Sequence, residues 1–285
     1  MDCKENPAFV FIHGAWHNHH TWDKVVPLLA DRGYASVAID LPGAGTHAAR
    51  PRSFAQRPLD AAAFATEPSP NAAVTQTQRN DAAMLAVHEA VRKGNGKVVL
   101  VGHSLGGVTV SQLGEREPDL LHAVVYLAAV MLPAGMTAAG TLAGESMSGG
   151  QLQSLLMADP EEVGAFRLDT ASVNDDYVGR VKETFYRDVD DDDFKAILSG
   201  LHPDEPAQVF TVPSPVTKEH FGRVPRHYIR LTEDLTVLIE AQDEMIRWVD
   251  EQMGNATRVH SMKASHSPFL SMPEALADIL VATAA

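Results

Sequence analysis

Five consecutive residues, Gly102-His103-Ser104-Leu105-Gly106, spell G-x-S-x-G directly behind the apolar run Val98-Val99-Leu100-Val101 and ahead of a helix-compatible segment. Strand, sharp turn and helix in that order form the setting in which a serine becomes a nucleophile, because the turn holds the hydroxyl out at the end of the strand. Such a turn strains the serine backbone and tolerates only small neighbours, which Gly102, Gly106 and Gly107 supply. A glycine-rich turn with an incidental serine would read the same from the pentapeptide alone, so the rest of the chain must provide the partners.

An activated serine needs a base, and the base needs an acid to fix its tautomer; on a doubly wound sheet the order along the chain is Ser, Asp, His. Asp234 follows the apolar strand His227-Tyr228-Ile229-Arg230-Leu231, and His266 lies in the loop Lys263-Ala264-Ser265-His266-Ser267-Pro268 after the last strand. Among thirteen histidines, His260 falls inside a predicted strand and would point into a face of the sheet, so His266 is preferred. Glu233 stands second to Asp234, whereas Asp243 and Asp250 fall on a helix away from the strand ends. The charge developing on a tetrahedral intermediate needs two backbone N–H donors. Leu105, next after the serine, supplies one, and Ala15, in the loop His13-Gly14-Ala15-Trp16 after the first strand, supplies the other.

These residues must be positioned by an α/β architecture. The runs 8–12, 35–39, 97–101 and 123–128 read as strands buried on both faces, alternating with helical spacing over 21–32 and 78–93 that ends at Gly33 and Gly94. Two more strand and helix pairs follow, 227–231 with 237–253 and 257–262 with 268–283. This pattern predicts a doubly wound, mostly parallel sheet with helices on both faces. Residues 43–76 read as a long irregular excursion that offers a second lip to the pocket or a contact for a homo-oligomer. Residues 133–225 carry helical patches, acidic runs and prolines without a pair of buried strands, and 203–215 reads as loop. The resulting division is a core over 1–132 and 226–285, with a helical cap over 133–225 inserted after the fourth strand, where it would roof the site.

Composition narrows the partners. The 285 residues are 45% hydrophobic and 21% charged, which suits a folded enzyme-sized unit. A net charge of -14 repels nucleic acid and anionic membrane surfaces. The single Cys3 allows no internal disulfide, and the absence of a leader or spanning run leads to a cytoplasmic expectation. No cofactor and no metal is expected. His17, His19 and His20 lack the spacing of a metal motif, with His17 placed at the pocket mouth, and the acidic run Asp188 to Asp193 reads as the solvated N-terminus of a helix beginning near Phe194.

With these residues in place the chain resembles the α/β-hydrolases, in the branch of plant methylesterases, hydroxynitrile lyases and bacterial carboxylesterases such as pyrethroid hydrolase. The anchors run nearly end to end: 9–17, 40–43, 102–107, 125–133, Phe185-Tyr186, 225–229 leading to Glu233-Asp234, 265–268 and 271–274. The resemblance implies Ser104, Asp234 and His266 as a triad with Ala15 and Leu105 as oxyanion donors. Lyases of this branch place a threonine in the oxyanion loop and a lysine after the histidine, where this chain has Gly14 and Ser267, so hydrolysis is expected. The expected substrate is a small-molecule carboxylic ester with a hydrophobic or aromatic group, held by Trp16, Met131, Leu132, Phe185, Tyr186 and Phe210, residues that would otherwise simply fill the core. Fold and triad are shared across reaction types, so the alternatives are a lactonase, an acyl transferase, a non-hydrolytic enzyme using His266 as base, and a receptor-like binding module.

Overall fold

The computed structural model describes residues 5–285; Cys3 and its neighbours through Lys4 lie outside them. In chain order, β1 (Ala8–Ile12), α1 (Val25–Asp31), β2 (Ser36–Ala38), α2 (Ala61–Thr66), α3 (Gln76–Lys93), β3 (Val98–His103), α4 (Gly106–Arg116) and β4 (Leu121–Leu127) come first. Residues 133–225 then carry α5 (Ala138–Leu142), α6 (Pro160–Val163), β5 (Ala165–Arg167), α7 (Asp175–Tyr186), α8 (Asp191–Gly200) and β6 (Asp204–Pro206). After them stand β7 (Arg226–Leu231), α9 (Ile239–Met253), β8 (Arg258–Met262), α10 (Pro268–Ser271) and α11 (Pro273–Thr283).

Six strands form one sheet in the order β2-β1-β3-β4-β7-β8, every neighbouring pair parallel. Alternate residues of a strand face opposite sides, and the core divides accordingly. Val10, Leu100, Val124 and Tyr126 pack with Met84 and Val87 of α3, Val110 of α4 and Val249 of α9 on one side. Phe9, Phe11, Val101 and Val125 pack with Trp22, Leu29 of α1 and Leu276 and Leu280 of α11 on the other. A third cluster joins Trp16, Leu105 and Val130, beyond the carboxyl ends of the strands, to Leu152, Phe185 and Phe210 of the insertion.

The structure corrects several expectations. The insertion does contain a pair of buried strands: β5 and β6 run antiparallel, Phe166 opposite Glu205. Arg167 and Asp204 meet across this pair through two bonds of 2.7 and 2.8 Å, both side chains fully buried. A three-residue strand reading Asp-Glu-Pro has no hydrophobic period, so pattern reading passes over it. Residues 207–211 of the expected loop form a 3-10 helix. The excursion is not irregular throughout, since Asp60 caps α2 by accepting from the N–H groups of Ala62 and Ala63. The helix expected over 21–32 is a 3-10 turn at His19–Trp22 followed by α1, because Pro27 lacks the N–H of a helix interior and sits only in a first turn. Pro273 divides the last helix into α10 and α11 for the same reason. No helix among the described residues is long and apolar enough to cross a membrane.

Close packing at α4 gives a test. A Cβ on Gly107 would lie 2.2 Å from the Val130 carbonyl oxygen, a backbone atom that cannot swing away. Gly107→Ala is expected to destabilise the fold by about 3 kcal/mol. Gly179, exposed in the middle of α7 with nothing within 4 Å of its built Cβ, is expected to gain about 0.5–1 kcal/mol on replacement by alanine. Urea unfolding of both variants checks the pair; a neutral Gly107→Ala would contradict the packing described.

Candidate active site

β3 delivers Ser104 into a left-handed turn with φ +52°, a conformation that a non-glycine residue adopts only when its surroundings hold it. Three backbone bonds do so. The Ser104 N–H donates to Leu127 at 3.2 Å, and its carbonyl accepts from Gly107 at 3.1 Å and Val130 at 2.9 Å. Gly14 passes so close that a Cβ there would lie 2.9 Å from the Ser104 Cβ and from the His103 ring. The serine hydroxyl makes no hydrogen bond among the described residues, leaving it open to a ligand.

The loops after β7 and β8 bring Asp234 and His266 together. Asp234 folds into a tight turn, one carboxylate oxygen accepting from the N–H groups of Thr236 at 2.7 Å and Val237 at 3.0 Å. The other oxygen meets His266 Nδ1 at 2.6 Å, with both side chains at most 1% exposed. The carboxylate accepts, so Nδ1 carries the proton and Nε2 keeps its lone pair. The His266 carbonyl accepts from His103 Nε2 at 2.9 Å, and the two rings lie 4.4 Å apart, which seats His266 beside the serine turn. Glu233 points away, toward Arg187 at 3.2 Å and Lys263 at 3.6 Å. Asp243 pairs with Arg230, while Asp250 accepts from Thr257, so neither reaches His266. His260 stacks on His227 within the sheet.

Ala15 and Leu105 both border the space above Ser104, and neither N–H donates to an acceptor among the described residues. The loop that carries Ala15 is pinned on every side. His13 Nδ1 donates to the Gly14 carbonyl at 2.8 Å while its Nε2 accepts from Leu41 N–H at 3.1 Å. Trp16 has φ +62°. Its N–H donates to Glu205 at 3.1 Å, its carbonyl accepts from His202 at 2.8 Å and its indole donates to Phe166 at 2.8 Å. Glu205 is held in turn by Arg79 at 2.5 Å, a buried pair linking the insertion to α3.

His17 is buried, not at a pocket mouth: only 3% of it is exposed. Its Nδ1 donates to the Ala15 carbonyl at 2.7 Å, and its Nε2 accepts from the Tyr186 hydroxyl at 2.7 Å. His19 and His20 pair with Asp40 and Asp23. Asp190 caps α8, whose first turn holds Asp191 to Asp193. Among the described residues no group of three or more His, Cys, Asp or Glu side chains is arranged to hold a metal ion.

The cavity reaching Ser104 measures about 30 Å³, with Trp16, Leu142, Leu152 and Phe210 among its walls and Thr236 and Val237 at its edge. Of the residues predicted to line a pocket, Trp16 and Phe210 do. Phe185 packs behind Trp16, with ring centres 5.9 Å apart, and Tyr186 is tied to His17. Leu132 borders a separate crevice beside Val212, and Met131 belongs to the cluster under the sheet with Tyr126 and Val249. Leu142 ends the five-residue α5 and Leu152 opens a four-residue 3-10 helix, segments too short to show a hydrophobic period. They also form part of a second space of about 390 Å³.

A sequence model described as the Alpha/beta hydrolase family matches residues 9–279. The chain is 28% identical to pyrethroid hydrolase of Sphingobium wenxiniae over 95% of its own length and 85% of that protein's. It is 27% identical to salicylic acid-binding protein 2 of Nicotiana tabacum, covering 96% of this chain and 95% of the other. The crystal structure of a pyrethroid hydrolase from Sphingobium faniae JZ-2 superposes with a TM-score of 0.73 at 25% identity, over 96% of both chains.

Burial pushes His13 down to about 4 and His17 down to about 3 from the ordinary 6.5. Both are neutral in the folded state, whereas the unfolded chain binds their protons below 6.5, so stability is present above that pH and declines as pH falls toward the folded values. Between pH 7 and 5, above most carboxylate titration, each is expected to cost about 2 kcal/mol of stability. Urea unfolding at the two pH values reads this loss; equal stabilities would contradict the neutral, buried assignment.

Proposed function

The chain belongs to the alpha/beta hydrolase family, and from that premise we propose that it is a serine carboxylesterase in which Ser104 acts as nucleophile, His266 as general base and then acid, and Asp234 as the carboxylate that orients His266. Relatives named as esterases and as a pyrethroid hydrolase support ester hydrolysis. The observation that carries the assignment of roles is the buried bond of 2.6 Å between Asp234 and His266 Nδ1, which leaves Nε2 as the free base beside the serine turn.

In this reading Ser104 Oγ attacks the ester carbonyl and His266 Nε2 takes its proton. The oxyanion is bound by the N–H groups of Ala15 and Leu105, and the alcohol leaves with the proton returned by His266. Water, activated by the same nitrogen, then attacks the acyl-enzyme and releases the acid. The imidazolium formed in each half-reaction is stabilised by Asp234, whose second oxygen is already satisfied by the turn and so cannot rotate away. Gly14 stands where the lyases have threonine and Ser267 where they have lysine, which favours hydrolysis over cyanide elimination.

The 30 Å³ beside Ser104 holds little more than a water. A bulky ester therefore enters by displacing Leu142 and Leu152, the side chains shared with the 390 Å³ space. We accordingly read residues 133–225 as a cap that admits the apolar part of the substrate.

Ser104→Ala is expected to abolish turnover of p-nitrophenyl esters, and Asp234→Asn to lower kcat by about 10³–10⁴-fold through the wrong histidine tautomer. Reaction of the wild type in labelled water should place solvent oxygen in the acid product; unlabelled acid, or turnover surviving in Ser104→Ala, would defeat the mechanism. Leu152→Ala is expected to raise kcat/KM for naphthyl esters relative to acetates by about tenfold. An unchanged ratio would remove Leu152 from the entry path.

A further inference from the structure

We propose that Tyr186-Arg187-Asp188, where α7 ends, is a positioning clamp that sets the spacing of the three loops around Ser104, an inference that rests on the esterase reading above. Each of the three side chains reaches a different loop. The Tyr186 hydroxyl donates to His17 Nε2 at 2.7 Å, and His17 Nδ1 passes the restraint to the Ala15 carbonyl, also at 2.7 Å. Arg187 donates to the carbonyl and carboxylate of Glu233 at 3.4 and 3.2 Å, one residue before Asp234. Asp188 accepts from the Ser265 N–H at 3.0 Å, from the Ser265 hydroxyl and from the Ser271 hydroxyl at 3.1 Å, thereby holding the residue before His266.

The sheet alone does not set this spacing. β1, which carries the Ala15 loop, is separated from β7 and β8 by β3 and β4, so small errors in strand separation accumulate across the gap. A productive site needs its groups placed within about 0.5 Å. One short segment bonded to all three loops removes that freedom. The Thr184 carbonyl adds a fourth point by accepting from the Thr236 hydroxyl at 3.0 Å, two residues after Asp234.

The three links are unequal. Arg187 and Glu233 are each about a third exposed, and a pair of that kind contributes little. Tyr186 is fully buried, so removing its hydroxyl leaves His17 Nε2 without a donor. Asp188 lies at the surface with its carboxylate turned onto Ser265, which is 1% exposed. The weight of the clamp therefore falls on Tyr186 and Asp188. Neither touches a reacting atom, which makes both positioning residues.

The test uses the full chain with p-nitrophenyl acetate and the variants Tyr186→Phe, Asp188→Ala, Asp188→Asn, Ser104→Ala and, as a control, Asp191→Asn, whose exposed carboxylate pairs with Lys182. Tyr186→Phe and Asp188→Ala are expected to lower kcat by about 10- to 100-fold while KM stays within about twofold. Asp188→Asn, whose amide oxygen still accepts from Ser265, should recover part of the loss, and Asp191→Asn should match the wild type. The near-isosteric Tyr186→Phe and Asp188→Asn keep the test intact if Asp188→Ala folds poorly. Wild-type kcat in Tyr186→Phe, with Ser104→Ala inert, would overturn the clamp and leave the esterase standing. A rise in KM at constant kcat would overturn it equally, assigning the segment to the shape of the cavity. Turnover persisting in Ser104→Ala would remove the esterase reading and the clamp with it.

Discussion

A buried carboxylate with no freedom to turn is the constraint on which the site depends. Asp234 spends one oxygen on the N–H groups of its own turn and the other on His266. A buried charge is tolerable only when it is fully hydrogen-bonded, and here the same bonds that satisfy it also choose the imidazole tautomer. Everything that disturbs the turn at Thr236 and Val237 therefore reaches His266. The serine turn is the complementary case: its φ of +52° is unfavourable in isolation and persists because Leu127, Gly107 and Val130 hold both of its peptide groups.

The surroundings of these two elements are polar and buried. His13, His17 and His103 are each restrained by at least one hydrogen bond, and burial lowers the proton affinity of all three. Neutral rings serve the site, since cations near His266 would oppose formation of an imidazolium there. The Arg79–Glu205 pair follows the same logic at longer range. It brings a charge to the strained Trp16 peptide, and its value lies more in specifying one loop conformation than in net stabilisation, because desolvation offsets much of the attraction.

The core of the fold was legible because buried parallel strands are written as continuous apolar runs, and β1 is read from the sequence with its observed ends. The places of Ser104, Asp234 and His266 at strand ends were legible for a related reason: each follows such a run, where a strand end becomes a loop. The contacts that organise the surroundings were not. Glu205 and Arg79 are separated by 126 positions, and nothing in an Asp-Glu-Pro strand announces burial. Asp188 looked like the start of an acidic helix terminus, a role that belongs to Asp190 and the residues after it, while Asp188 itself turns back to Ser265. His17 looked exposed because its partner, Tyr186, lies 169 positions away. Periodicity reports what one element needs, and these bonds join elements.

Attack by Ser104 is tested most directly by mass spectrometry of the protein quenched during turnover of p-nitrophenyl acetate. An acetyl group is expected on the peptide containing Ser104, lost on continued incubation in water. Turnover with no acyl adduct, or an adduct confined to another residue, would contradict a mechanism built on Ser104.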